Sequence, residues 1–307
     1  MSDKITRRDF IKGLAVTGAG LYLLNPELTI AQTGNTLLAV AQGPLKIDPE
    51  AIKRTTRQAI KMLGGMDKFV SKNDRVLLKP NIAWNRTPEQ SANTNPYVVE
   101  AVVEMCLEAG AKKVKVLDNT INPAQITYDR SGIKSAVERA KGSLEFVDDR
   151  KFKEKSIPMG QEIKSWVIYQ EALDSDVLIN MPIAKHHSLT KLTLGLKNNM
   201  GLVKSREELH KRIEQKLSDL ATVIKPNLTI MDAYRVLTAN GPNGGTPQDI
   251  KIIGQIIAGV DPVAVDSYSA TLFGLKGEDV GYVKVANQMG LGEINLSKIK
   301  IQNMKVS

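Results

Sequence analysis

Short apolar runs in this chain are repeatedly followed by polar residues whose types suit work on an anion. Lys79-Pro80-Asn81 follows the run 75–78, and Asp118-Asn119-Thr120 follows 113–117. Asn180, Pro182, Lys185, His186 and His187 come at and after the end of 177–180, and Asp232 follows 228–231. Asp261 and Asp266 flank the start of a helical pattern at 262–273. If the runs are parallel strands, these clusters meet at one edge, because ligands of open α/β sheets bind beyond the carboxyl ends of the strands.

Each cluster has a chemical and a plain reading. Lys79 precedes a proline, which holds its backbone extended. Its ammonium could bind a carboxylate or phosphate, or simply sit at a strand end. His186 and His187 are two of only three histidines, and adjacent loop residues point apart, so one of them faces a given centre. As a metal ligand His187 needs carboxylates, for which Asp232 and Asp266 are the candidates. As a general base it needs a pKa near neutrality and a partner that sets its tautomer.

Lys197-Asn198-Asn199-Met200-Gly201 joins an ammonium to side-chain amides, a set suited to oxyanions. It reads equally as a helix end, with Lys favoured by the dipole and Gly as the stop. Gly241-Pro242-Asn243-Gly244-Gly245 could wrap a phosphate in N–H groups, but it fits neither the dinucleotide fingerprint nor the P-loop. Asp261-Pro262 is a helix start, whereas Asp266, one turn further on, has no such structural role. No Gly-x-Ser-x-Gly, His-Glu-x-x-His or Cys-x-x-Cys occurs, which counts against serine hydrolases, zincins and thioredoxin-like redox proteins.

The elements that must position these residues follow from periodicity. Strands are predicted at 36–41, 75–78, 113–117, 144–147, 166–169, 177–180, 228–231, 252–258 and 299–302. Helices are predicted at 49–63, 97–109, 131–140, 206–222, 262–273 and 280–288. Such alternation with short connections implies an α/β fold: a mainly parallel sheet with helices on both faces, a Rossmann-like three-layer sandwich. One domain over residues 36–304 is expected, with the polar stretch 148–164 as an excursion rather than a boundary.

Composition narrows the function classes. A chain of 307 residues with 42% hydrophobic and 24% charged content is globular with a sizeable core. Aromatics at 5% argue against carbohydrate- or base-stacking surfaces. The single cysteine, Cys106, rules out an intramolecular disulfide. It also rules out a cysteine-ligated iron–sulfur cluster, which needs about four thiolates. Cys106 has the spacing of a core residue. Net charge is +9, with eight Lys/Arg against three Glu between 185 and 216. That segment is a solvated helix face, or it meets an anionic ligand or membrane surface. Nucleic acid is not expected.

Thr6-Arg7-Arg8-Asp9-Phe10-Ile11-Lys12 reads as a twin-arginine export motif, followed by an apolar stretch too short to span a membrane. Residues 1–31 are therefore expected to be a signal, with the twin-arginine translocon as a partner and a periplasmic or extracytoplasmic destination. Cleavage is expected near Ala31. An alternative small-x-small site, Ala39-Val40-Ala41, falls inside the first strand. An uncleaved signal would act as a membrane anchor.

Together these segments resemble a widespread prokaryotic family. They are Val76-Leu77-Leu78-Lys79-Pro80-Asn81, Thr94-Asn95-Pro96, Gly110-Ala111-Lys112-Lys113-Val114, and Pro182-Ile183-Ala184-Lys185-His186-His187-Ser188-Leu189-Thr190. Leu196-Lys197-Asn198, Met231-Asp232, Gly241-Pro242 and Gly259-Val260-Asp261-Pro262-Val263-Ala264-Val265-Asp266 complete the set. The chain looks like a member of the domain of unknown function 362 family from about residue 37 to 292. The resemblance implies an α/β domain and, in many relatives, ferredoxin-type modules, hence a redox partner protein. This chain lacks that module and its cysteines.

The resemblance also implies that these residues form one site. Lys79, Asn81, Lys185 and Asn198 would bind the ligand, and His187, Lys197 and Asp232 would act in catalysis. His187, Asp232 and Asp266 would hold a divalent metal, the candidate cofactor. The expectation is an exported protein acting on a small carboxylate or phosphate by metal-assisted or acid–base chemistry. The alternative is a non-catalytic extracytoplasmic binding protein or redox-complex accessory.

Overall fold

The computed structural model describes residues 36–307. The expected signal at 1–31 and its cleavage near Ala31 lie outside the described residues. The first strand, β1 (Leu37–Gln42), is paired on both sides, to the strands Ile250–Gly259 and Lys300–Lys305. Cutting at Ala39–Ala41 would sever it.

The chain alternates strand and helix from there. After β1 come α1 (Pro49–Met62), β2 (Arg75–Pro80), α2 (Pro96–Glu108), β3 (Lys113–Val116), α3 (Ala124–Arg130), α4 (Ile133–Arg139) and β4 (Ser143–Leu144). The middle of the chain holds β5 (Phe152–Ser156), β6 (Ser165–Tyr169), α5 (Gln170–Asp174), β7 (Val177–Met181), β8 (Ile183–His187) and β9 (Lys191–Thr193). Then follow α6 (Gly195–Asn198), α7 (Arg206–Leu209), α8 (Ile213–Ala221), β10 (Leu228–Leu237), β11 (Ile250–Gly259), α9 (Pro262–Thr271), α10 (Gly281–Gln288) and β12 (Lys300–Lys305).

Three helices start on the same signal, a polar residue before proline. Asp48, Asn95 and Asp261 each accept a backbone N–H of the first turn, and Pro49, Pro96 and Pro262 supply the fixed φ of the first helical position.

One ten-stranded sheet runs β12-β1-β11-β10-β7-β2-β3-β4, with β8 pairing to β10 and β9 to β8. The block β10-β7-β2-β3-β4 is parallel throughout. β11 runs antiparallel to both β10 and β1. Strand residues alternate between two cores. Leu77, Leu178, Met231 and Ile257 face one layer of helices. Val76, Leu78, Val177, Ile179, Ile230 and Ile256 face the other. Helices α1, α2 and α4 cover the second face, and α8, α9 and α10 the first. This is the expected three-layer, mostly parallel α/β arrangement. Cys106 sits in the second core, its thiol pushed well up by burial alone, as a packing residue.

Two local departures from the periodicity bear on the site. The predicted helix 206–222 is broken into α7 and α8, with Arg212 at φ 58° between them. Residues 183–193, read as a loop, form the β8–β9 hairpin. The polar excursion carries β5, paired with β6 in a separate two-stranded sheet. It is clipped to the body where Asp219 accepts N–H groups from Gln161, Glu162 and Ile163.

Candidate functional site

Lys79 on β2 stands directly beside Asn180 on β7, so two adjacent parallel strands end in polar residues at the same edge. Helix α6 crosses that edge. Its first turn is fixed from below by Asp266 of α9, whose carboxylate accepts Gly195 N–H at 2.7 Å and Leu196 N–H at 2.9 Å. Lys197 and Asn198 are thereby held over the strand ends.

Asn198 is the hub. Its Nδ2 donates to the Lys79 carbonyl at 3.1 Å and to Asn180 Oδ1 at 2.8 Å. Its Oδ1 accepts from Lys79 Nζ at 2.9 Å and Asn81 Nδ2 at 3.1 Å. Asn81 Oδ1 in turn accepts from Lys185 Nζ at 3.2 Å, and Lys185 also donates to the Ala92 carbonyl. The four expected ligand-binding residues, Lys79, Asn81, Lys185 and Asn198, are thus one continuous network, and all are buried. Asp118 at the end of β3 completes it, with Oδ1 2.9 Å from Lys79 Nζ and Oδ2 accepting Ile82 N–H at 2.7 Å.

The network forms the floor of a cleft of about 920 Å³. Lys197, Thr193, His187, Arg206 and His210 line it as well. Lys197 is only 8% exposed. Its Nζ meets Met200 Sδ at 3.5 Å and, among the described residues, no carboxylate. Thr193 Oγ1 is buried without a hydrogen-bond partner. Arg206 is pinned by donating to the carbonyls of Asn119 and Thr120. Gly201 serves as a close-approach point rather than a helix stop, because a side chain there would collide with Asp118 and Lys79.

Crowded cations and burial set the electrostatics. Burial, then Arg206, lowers Lys197 to about 8. Burial, then Lys197, lowers Lys185 to about 7, with Asp118 opposing. Lys79 is lowered by burial against the pull of Asp118. His187 falls to about 3, through burial first and then Lys197 and Lys185. Its Nδ1 accepts N–H groups from Leu189 at 3.1 Å and Thr190 at 3.4 Å. The neutral ring therefore carries its proton on Nε2. With Nδ1 already accepting, His187 offers a bound group a donor at Nε2–H, which argues against its expected role as base.

The expected carboxylate partners stand elsewhere. Asp232 is sealed in β10, where its oxygens accept Asn95 N–H at 2.8 Å and Tyr234 N–H at 3.1 Å. It ties the start of α2 to the sheet and takes no part in the cleft, and burial raises it to about 6. Asp266 is spent on the first turn of α6, and burial raises it to about 7. His187, Asp232 and Asp266 accordingly do not converge as a metal site. Among the described residues no group of three or more His, Cys, Asp or Glu is placed to hold a metal ion. Both carboxylates already accept backbone N–H groups, the bonds that buried carboxylates require. Thr193 and Arg206 were not singled out from the residues, and Asp118, though named at a strand end, was not carried into the expected site. Asp118 carried the same strand-end signal as Lys79, whereas Arg206 was read only as part of the basic helical segment 185–216.

A family model described as domain of unknown function (DUF362) matches residues 76–271. A curated relative, "Thylakoid-associated protein sll1697" from Synechocystis sp., is 27% identical over 251 residues, covering 76% of this chain and 74% of that protein. Among solved structures, the lactate racemase apoprotein from Thermoanaerobacterium thermosaccharolyticum superposes with a TM-score of 0.45 at 13% identity. That match covers 73% of this chain and 54% of the racemase chain, so the chain spans about half the length of that structure.

Proposed function

The chain belongs to the domain of unknown function 362 family, and on that premise we propose that it is an enzyme that binds a small carboxylate or phosphate in this cleft and moves protons on it. One observation carries the reading. Lys197 is buried with no anionic partner among the described residues and with Arg206 adding to its cost. A buried ammonium without a counter-charge is expensive; a bound anion would supply that counter-charge. Lys185 and Lys197, at about 7 and about 8, sit where an amine can both give and take a proton near neutral pH. Thr193 Oγ1 and the His187 Nε2–H would orient the bound oxygens.

The motif Thr6-Arg7-Arg8-Asp9-Phe10-Ile11-Lys12 extends the proposal to a signal at 1–31 and export through the twin-arginine translocon. Two measurements test the enzymatic reading. Calorimetric titration with inorganic phosphate and with small carboxylates should show binding that Lys197→Met abolishes. Incubation of a panel of carboxylates and phosphate esters in deuterated water should show enzyme-dependent deuterium uptake by NMR. Binding that Lys197→Met leaves intact, or no binding at millimolar anion, would overturn the reading.

A further inference from the structure

The cleft is graded from a charged floor to an apolar rim. Lys79 and Lys185 at the floor are each 1% exposed, whereas Ile121 and Leu189, which line the same cleft, are 50% and 56% exposed. Trp84 and Pro242 line it too. These four come from four separate segments: the loop after β2, the loop after β3, the β8–β9 turn and the glycine-rich loop after β10. Large apolar side chains from unrelated segments therefore share one cleft with the buried cations. A cleft of about 920 Å³ belongs to the size class that encloses drug-sized ligands, far more than a bare oxyanion fills.

Resting on the anion-binding reading above, we propose that the ligand is an amphipathic anion: a carboxylate or phosphate ester whose charged group seats on the lysines while an apolar or aromatic body lies against Trp84, Ile121 and Leu189. The charge pattern selects the orientation. The anion goes to the floor, where lysines are desolvated and Coulomb attraction is strongest. The body stays at the rim, where it covers apolar surface that is otherwise wet. Trp84, which lines the cleft, supplies an aromatic side chain for that body.

Titration of the protein with inorganic phosphate, phenyl phosphate and 1-naphthyl phosphate tests this, with acetate, butanoate and octanoate as the carboxylate arm. Affinity should rise along each series, by roughly thirtyfold from inorganic phosphate to the naphthyl ester. Trp84 fluorescence, followed in a Trp166→Phe background, should be quenched by the naphthyl ester. In the Ile121→Ser/Leu189→Ser protein, whose changes lie at exposed positions, the naphthyl ester's advantage over inorganic phosphate should shrink by about fivefold, Trp84 supplying what remains. Equal affinity for all members of a series, or a gradient that the double substitution leaves unchanged, overturns the amphipathic proposal and leaves the anion site standing. Absence of binding by every anion overturns both.

Discussion

Lys79 and Asp118 face each other at 2.9 Å with their side chains 1% and 2% exposed, the one oppositely charged pair sealed into the cleft floor among the described residues. The pair neutralises one of three buried lysines. Lys185 makes do with an amide and a carbonyl, and Lys197 with a thioether. The floor is therefore built with more positive charge than it can balance from within, which is the physical basis for reading it as an anion site.

Removing one partner of that pair leaves the other charge buried and alone. Asp118→Asn should lower the unfolding free energy by about 3–5 kcal/mol. The double change Lys79→Met/Asp118→Asn, which removes the stranded ammonium and keeps an acceptor for the Ile82 N–H, should recover most of that loss. Urea denaturation of the three proteins checks it, and a loss under about 1 kcal/mol for Asp118→Asn would remove the pair from the account.

Lys197 should cost stability while it serves binding. Its pKa in the folded protein is about 8, below the usual 10.5. Between those values the unfolded chain binds more protons than the folded one, so the lysine's contribution to stability rises with pH across that window and is most unfavourable below about 8. Lys197→Met should therefore be more stable than the parent by about 3 kcal/mol near pH 7, and the two should converge as pH approaches 10.5. Thermal melts across pH in the absence of phosphate and carboxylates measure this. A difference that does not change with pH would contradict it.

Asp266 acts at one remove from the cleft. Its two accepted bonds fix Gly195 and Leu196, and through them Lys197 and Asn198. Asp266→Ala orphans two buried N–H groups and should cost about 2–4 kcal/mol, with weaker phosphate binding as well. Asp266→Asn keeps one acceptor oxygen and should recover part of both. If phosphate binds equally well to both variants and the parent, α6 does not position the site.

Export is tested in the cell. Arg7→Lys/Arg8→Lys should retain the protein in the cytoplasm, while the unmodified chain should reach the far side of the membrane in a folded state. Fractionation of cells expressing each form reads the outcome, and equal distribution of the two would contradict a twin-arginine signal.

The strand ends were legible because a buried parallel strand is a continuous β-branched run, and a polar residue ending it can only stand at the sheet's edge. Lys79, Asn81 and Lys185 followed from that; Asn198 came only with the family resemblance, and the structure joins the four. The carboxylates were misread because sequence shows that an Asp is present but not which N–H groups reach it. Asp232 and Asp266 look like ligands only until Asn95, Tyr234, Gly195 and Leu196 are in place. His187 fails as a base for a similar reason: its turn folds back to cover Nδ1, a local geometry that adjacent letters do not encode. Arg206 escaped notice because the amphipathic pattern runs unbroken through Arg212, where the backbone turns left-handed and splits the helix.

Proton uptake on binding probes the central claim most directly. An anion seated beside Lys197 must raise that lysine's pKa, so binding above about pH 8 has to draw protons from solution. Calorimetric titration of the protein with phosphate at pH 8.5, in buffers of different ionisation enthalpy, should report net proton uptake that vanishes in Lys197→Met. Phosphate bound at pH 8.5 with no proton taken up, or uptake that persists in Lys197→Met, would show that the unpaired lysine is not where the anion sits.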